Sequence, residues 1–423
     1  MIANLKPYPE YKDSGIEWLG EIPVYWQVLK LKRICSLAYG DSLASDARAD
    51  GEVEVYGSNG PVGLHDQANT LAPCLVIGRK GSYGKVNYSV RPVFAIDTTF
   101  FVDRRLTRVD LRWLYYALTD ARLDSATKDS AIPGLDREDA YARVVCVPSE
   151  PEQHAIAGFL DRETAKIDAL VGKKERLIEL LQEKRTALIT HAVTKGLDPD
   201  VPMKDSGIEW LGQIPAHWEV WKLKHLAQVK RGASPRPIDD PIYFDDEGEY
   251  SWVRIGDLTA SERYLERTTQ RLSKLGQSKS VRLELGSLFV SIAASVGKPI
   301  ITRIKCCIHD GFVYFEGLRP NAEFVWYLLQ CGEAYKGLGK LGTQLNLNTD
   351  TVGEISIPLP DSAEQQSLVN FLDRETAKID ALITKIGEAI ERLREYRTAL
   401  ISAAVTGKID VRGLVEDREA GIE

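Results

Sequence analysis

The chain has 423 residues, 44% of them hydrophobic and 27% charged, with a formal net charge of −7. That length suggests two or three domains at roughly 100–200 residues each. No apolar run reaches the ~18 residues a membrane helix needs, and the opening MIANLKPYPEYKDSG lacks the layout of a signal peptide, so the expected location is cytoplasmic, away from any membrane.

The six cysteines, Cys35, Cys74, Cys146, Cys306, Cys307 and Cys331, are scattered without a CxxC pair, and the six histidines form no HExxH. Neither a disulfide framework nor a zinc site has that spacing. Buried or half-buried free thiols are expected. The acidic balance argues against a domain that binds a polyanion unaided, because such domains are usually basic. Local basic patches or a basic partner could offset it.

In chain order, the first distinctive element is KDSGIEWLG at 12–20, followed by EIPVYWQVLKLK. A variable segment follows, with strand-like runs at 73–81 and 92–102 and a short aromatic helix near 111–120. Residues 152–193 then lack proline and are rich in good helix formers. Apolar residues Leu160, Ile167, Leu170, Leu177, Leu181 and Leu188 step by 7, 3, 7, 4 and 7, a 3.5-residue period. KDSGIEWLG returns unchanged at 204–212, beside QIPAHWEVWKLK. A second variable segment carries strand-like runs at 250–257, 288–294 and 307–317 and a helix near 323–332. The stretch FLDRETAKIDAL, first at 159–170, recurs unchanged at 371–382 and opens a second stripe of Leu372, Ile379, Leu382, Ala389, Leu393 and Leu400. Lys174 of the first copy becomes Ile386 in the second. Each helix follows a proline-bearing stretch and ends at a glycine, Gly196 or Gly407.

The framework repeats are offset by 192 residues and the helix repeats by 212, so the material between them differs in length by 20 residues. A near-constant frame around variable filling is how recognition modules are built. Drift after a plain duplication would be spread along the whole length instead. The variable segments share a glycine-bearing hairpin and an aromatic helix, which implies one fold for both. An apolar stripe on a rod of roughly 60 Å cannot stay in water. Either the two helices bury their stripes against each other as a coiled coil, or each packs on its own domain. Periodicity does not say whether such a pair is parallel. The matched tryptophans Trp18, Trp26, Trp210 and Trp218 read as core or interface anchors.

The chain contains no GxxxxGK[ST] phosphate loop and no NPPY or DPPY motif, and DDPIY at 239–243 has the wrong order. No catalytic group or metal-ligand cluster stands out. The candidate catalytic and metal residues are therefore none, and an enzyme with an unfamiliar site is the weakest reading. The layout resembles the specificity subunit of type I restriction-modification enzymes. KDSGIEWLGEIPxxW, the PxxEQ start of a helix, and FLDRETAKIDAL continued by RTALISAAVTGKID carry the likeness over nearly the whole chain. IGRKGSYGKV with AIDTTFFV, and SIAASVGK with IHDGFVYF, are similar to segments of that family's target recognition domains.

The resemblance implies an α+β fold with two globular target recognition domains, separated by two long helices in an antiparallel coiled coil with a pseudo-twofold internal repeat. The expected divisions are 1–150 (first recognition domain), 151–196 (first helix), 197–360 (second recognition domain), 361–410 (second helix) and 411–423 (tail). It implies a non-catalytic subunit with no cofactor of its own. Each domain would read half of a bipartite target in double-stranded DNA, while the helix pair sets the spacer and docks two methyltransferase subunits. Motor-nuclease subunits would join, and the partners would use S-adenosylmethionine, ATP and Mg. The competing reading is a coiled-coil adaptor whose two domains bind proteins.

Arg, Lys, Asn and Gln do most base readout, and glycines let backbone approach DNA. In the first variable segment these types meet in YGSNGPVG and GRKGSYGK, giving Ser58, Asn59, Arg79, Lys80, Ser82, Tyr83 and Lys85 as DNA-binding candidates. In the second they meet in VKRGASPRP and ASVGK, giving Lys230, Arg231, Ser234, Arg236, Ser295 and Lys298. Arg254 and the run GTQLNLNTD, with Gln344, Asn346 and Asn348, come next. An ordinary polar surface carries such residues too.

Overall fold

The computed structural model describes residues 5–125, 134–293, 296–336, 338 and 347–414. Four helices organise the chain: α1 (Leu111–Asp120), α2 (Glu150–Lys195), α3 (Ala322–Gln330) and α4 (Ser362–Val405). The chain divides into two compact units. The first comprises Met1–Glu175 with Gly387–Glu423, the second Arg176–Ile386. Each unit therefore contains half of α2 and half of α4.

The two variable segments fold alike. In the first unit a four-stranded sheet runs in the order 38–39, 99–103, 74–78, 86–89. In the second, strands 228–231, 312–316, 288–291 and 299–302 repeat that order, with 264–265 added at the edge. A smaller sheet accompanies each, with the same parallel pairing at its heart: 53–57 beside 94–95, and 250–253 beside 306–308. The stretch expected as one strand over 250–257 turns at Arg254 into a helix, Ile255–Ala260. The Asp257 carboxylate accepts from the Arg254 amide at 2.9 Å and starts it.

The framework repeats fold identically. Strands 11–13 and 21–23 pair, as do 203–205 and 213–215. The Asp13 and Asp205 carboxylates accept from the Gly15 and Gly207 amides at 2.9 and 3.0 Å, and both glycines have φ of +70°. Trp26 and Trp218 are fully buried. Each ring removes on the order of 200 Å² from water, roughly 5 kcal/mol of transfer free energy. Trp18 departs from the expected anchoring: it is 66% exposed, and its counterpart Trp210 is half-buried. Both lie on the turn between paired strands, where the buried position is taken by the next residue, Leu19 or Leu211.

Each framework repeat grips two helix ends. In the first unit the Trp26 indole donates to Glu152 at the start of α2 (3.4 Å), and the same ring lies 3.3 Å from where a Cβ on Gly407 would sit, just past the end of α4. In the second unit Trp218 donates to Glu364 at the start of α4 (2.8 Å) and lies beside Gly196, just past the end of α2. The start of one helix thus lies beside the end of the other, which makes the pair antiparallel. The ion pairs agree. Asp168 meets Arg397 at 2.9 Å in the first unit, and the repeat-related Asp380 meets Arg185 at 2.9 Å in the second. The same pairing thus recurs within each unit.

The glutamine of PxxEQ joins each long helix to its domain. Buried Gln153 donates to the Pro148 carbonyl (3.0 Å) and accepts from the Asp110 amide (2.9 Å), at the head of α1. Buried Gln365 does the same with Pro360 and Asn321, both at 2.8 Å, at the head of α3.

The buried stripe departs from the expected one. Leu170, Leu177 and Leu382 are 44, 43 and 45% exposed. Among the buried and half-buried positions of α2, Leu160, Thr164, Ile167, Val171, Lys174, Ile178, Leu181, Arg185 and Leu188 step by 4 and 3 in alternation. In α4 the matching series is Leu372, Thr376, Ile379, Ile383, Ile386, Ile390, Leu393, Arg397 and Leu400, with half-buried Ala389 beside it. This is the coiled-coil alternation. Thr164 and Thr376 hide it, because their hydroxyls bond back to the Leu160 and Leu372 carbonyls at 2.6 and 2.7 Å and so sit inside. The step after Ile167 is therefore 4, to Val171, and not 3, to Leu170.

Candidate nucleic-acid interface

The candidate loops sit at matching places in the two units. In the first, the Gly78 amide donates to the Lys85 carbonyl (2.8 Å) and the Gly84 amide to the Gly78 carbonyl (2.9 Å). In the second, the Ser291 amide donates to the Lys298 carbonyl (3.1 Å) and the Gly297 amide to the Ser291 carbonyl (2.8 Å). Gly84 and Gly297 have φ of +79° and +85°, a region that favours glycine. GRKGSYGK and SIAASVGK are thus one loop with different side chains.

In the first unit this loop lies against the turn at 58–59. The Lys85 ammonium donates to the Asn59 carbonyl (2.9 Å) and Oδ1 (2.8 Å). Ser58 is buried, its hydroxyl donating to the Thr98 carbonyl at 2.7 Å. Lys80 and Ser82 are exposed, and Tyr83 is half-buried against the core. Arg79 donates to the Asp97 carbonyl at 2.8 Å, with its guanidinium 5.1 Å from the Tyr39 ring. The Arg137 guanidinium lies 5.0 Å from that ring. Tyr39 and Arg137 carried no motif in the sequence and join the site only through the fold.

In the second unit the cations are paired internally. Lys230 is ion-paired with Glu316, and Arg254 with Asp239 at 3.4 Å. Arg231 donates to the Asp310 carbonyl (2.5 Å), Ser234 to Asp310 Oδ1 (2.7 Å), and Arg236 pairs with Asp310 Oδ2 (2.8 Å). The Ser234 hydrogen bond, helped by the charges of Arg236 and Arg231, holds the Asp310 carboxyl below its usual range. Asp310, in IHDGFVYF, is the hub of this cluster. The signal that could have found it was the need of three nearby donors for one acceptor.

Two candidates have structural tasks. Half-buried Lys298 donates to the Leu258 carbonyl at 2.8 Å, and burial lowers its pKa. Asn348 caps the helix Thr349–Gly353, accepting from the Thr351 amide at 2.9 Å. Ser295, Gln344 and Asn346 lie outside the described residues.

Burial pushes the Cys35, Cys146, Cys306 and Cys307 thiols up to about 12 and raises Cys74 and Cys331 as well. None is a ready nucleophile. Among the described residues no three His, Cys, Asp or Glu side chains are grouped to hold a metal, and no helix is long and apolar enough to cross a membrane.

Residues 215–392 match the family profile of the type I restriction modification DNA specificity domain. That span starts in the second framework repeat and ends within α4. The chain is 27% identical over 328 residues to the MjaVIII specificity subunit of Methanocaldococcus jannaschii, covering 72% of each chain. It is 20% identical to the EcoDI specificity subunit of Escherichia coli, covering 94% of this chain and 92% of that one. Among solved structures it resembles a chain from a study of complex assembly and conformational transition in the type I R-M system. The TM-score is 0.71 at 14% identity, over 92% of this chain and 99% of that one. The HsdS subunit of Thermoanaerobacter tengcongensis matches with a TM-score of 0.51 at 15% identity, over 92% and 98%.

Proposed function

We propose that the chain is a type I restriction-modification DNA specificity subunit whose two modules divide the work. It is the non-catalytic subunit that recognises the DNA sequence. Each module reads one half of a bipartite target in double-stranded DNA. The α2–α4 pair sets the spacer between the halves and docks two methyltransferase subunits, which motor-nuclease subunits join. S-adenosylmethionine, ATP and Mg then belong to those partners. Their basic surfaces would supply the phosphate neutralisation that a chain of net charge −7 lacks.

One observation carries this reading. The modules share strand order, framework turns and loop hydrogen bonds, yet the equivalent loops carry Arg79, Lys80 and Tyr83 in one and Ile292, Ala293 and Val296 in the other. A fixed scaffold with exchanged loop side chains suits two readers of different half-sites. The test is to transplant residues 33–147 from a relative and map methylated adenines. One half of the motif should change and the gap should stay. A change in both halves would refute the modular division.

A further inference from the structure

We propose that Tyr39, Arg79 and Arg137 form a clamp for one phosphate of the DNA backbone, present in the first module only; this rests on the DNA-recognition reading above. Two guanidiniums approach one half-exposed phenol ring, at 5.1 and 5.0 Å. Among the described residues neither has a carboxylate partner, and Arg137 Nε is buried without a hydrogen-bond partner. The arginines stacked on the domain helices are different. Arg112 lies over Tyr88 and pairs with Asp161 at 2.6 Å, and Arg263 lies over Tyr264 and pairs with Asp373 at 2.5 Å. Two cations that share one ring without a carboxylate counter-ion leave positive charge uncompensated, and an arriving anion would compensate it.

The clamp is fastened from behind. The Leu135 amide donates to the Arg79 carbonyl at 2.8 Å, and Lys80 bridges Gly134, so the segment carrying Arg137 is tied to the recognition loop. Arg79 spends one nitrogen on the Asp97 carbonyl at 2.8 Å and its face on Tyr39. That leaves it poorly placed for the bidentate fork that reads guanine. It still offers charge and single donors, which a phosphate accepts from two arginines at once. In the second module the strand register puts Arg231 where Tyr39 stands and Ile292 where Arg79 stands. The cations there already have acidic partners.

The test uses the full chain assembled with its methyltransferase subunit, a duplex carrying its methylation motif, and a scrambled duplex. Affinity is measured from 50 to 300 mM salt. For Arg79→Gln/Arg137→Gln, the slope of log K against log salt should be shallower by roughly 0.9, the value for one lost phosphate contact. Both duplexes should weaken by the same factor, and the methylated motif should keep every letter. Arg137→Gln alone should move the slope the same way, and Tyr39→Phe should leave it unchanged. These two guard against a double variant that folds poorly, which its thermal unfolding would reveal. An unchanged slope in Arg137→Gln would overturn the clamp. So would a relaxed letter in the motif, which would make the arginines base readers. Wild-type binding without salt dependence would overturn the DNA-recognition reading as well.

Discussion

Replacing Gln365 by Met removes a double hydrogen bond at nearly constant volume. The side chain is 4% exposed and bridges the Pro360 carbonyl and the Asn321 amide at 2.8 Å each. Met fills the space and bonds neither. Two main-chain groups then stay buried without partners, at about 1–3 kcal/mol each. The expected loss is about 2–6 kcal/mol, a large part of what a domain of this size has to spare. Urea unfolding followed by tryptophan fluorescence reads it, since Trp218 and Trp326 are buried in the same unit. Gln153→Met, with its bonds of 3.0 and 2.9 Å, should cost a similar amount in the first unit. A loss below about 0.5 kcal/mol at both sites would refute the claim that PxxEQ fastens helix to domain.

Gly407→Ala should destabilise more than Gly196→Ala. Both have positive φ, +73° and +77°, but a Cβ at 407 would lie 2.3 Å from Pro23, whereas at 196 the nearest atom is 3.4 Å away. Strain alone costs about 1 kcal/mol, so Gly196→Ala should lower the melting temperature by a few degrees and Gly407→Ala by clearly more; equal shifts would contradict the packing. Leu170→Gln should be nearly neutral in thermal unfolding, while Lys174→Ile, which copies Ile386, should stabilise by about 0.5–1 kcal/mol. The opposite order would restore the stripe through Leu170. Asp310 has a lowered folded pKa, so its contribution is present above the unfolded value and is lost as pH falls through the folded one. Asp310→Asn should therefore flatten the acid limb of stability below pH ~4, and an unchanged limb would show that the cluster is not held by that charge.

Much of the architecture is legible because duplication wrote it twice. The unchanged KDSGIEWLG and FLDRETAKIDAL mark the frame, and the 3.5-residue period marks the long helices. Helix direction was not legible in the period and came only from the family resemblance, because it is fixed by Trp26 and Trp218, whose partners lie at the far ends of two different helices. The stripe was misread at Leu170 because size suggested an anchor there, while the inward Thr164 sets the true phase through a hydrogen bond. The site was harder still. Residue type marks Lys85, Asn59 and Arg236 as donors, but not that Lys85 holds Asn59 or that Arg236 holds Asp310. Tyr39 and Arg137 are separated from Arg79 by 40 and 58 positions, and only the folded sheet brings them together.

The most direct measurement is the genome-wide pattern of methylated adenines in cells carrying this chain and an active methyltransferase subunit, compared with deletion of this chain alone. The account predicts that a split motif with a fixed gap loses its methylation on deletion. An unchanged pattern would contradict it and would favour a two-domain protein adaptor.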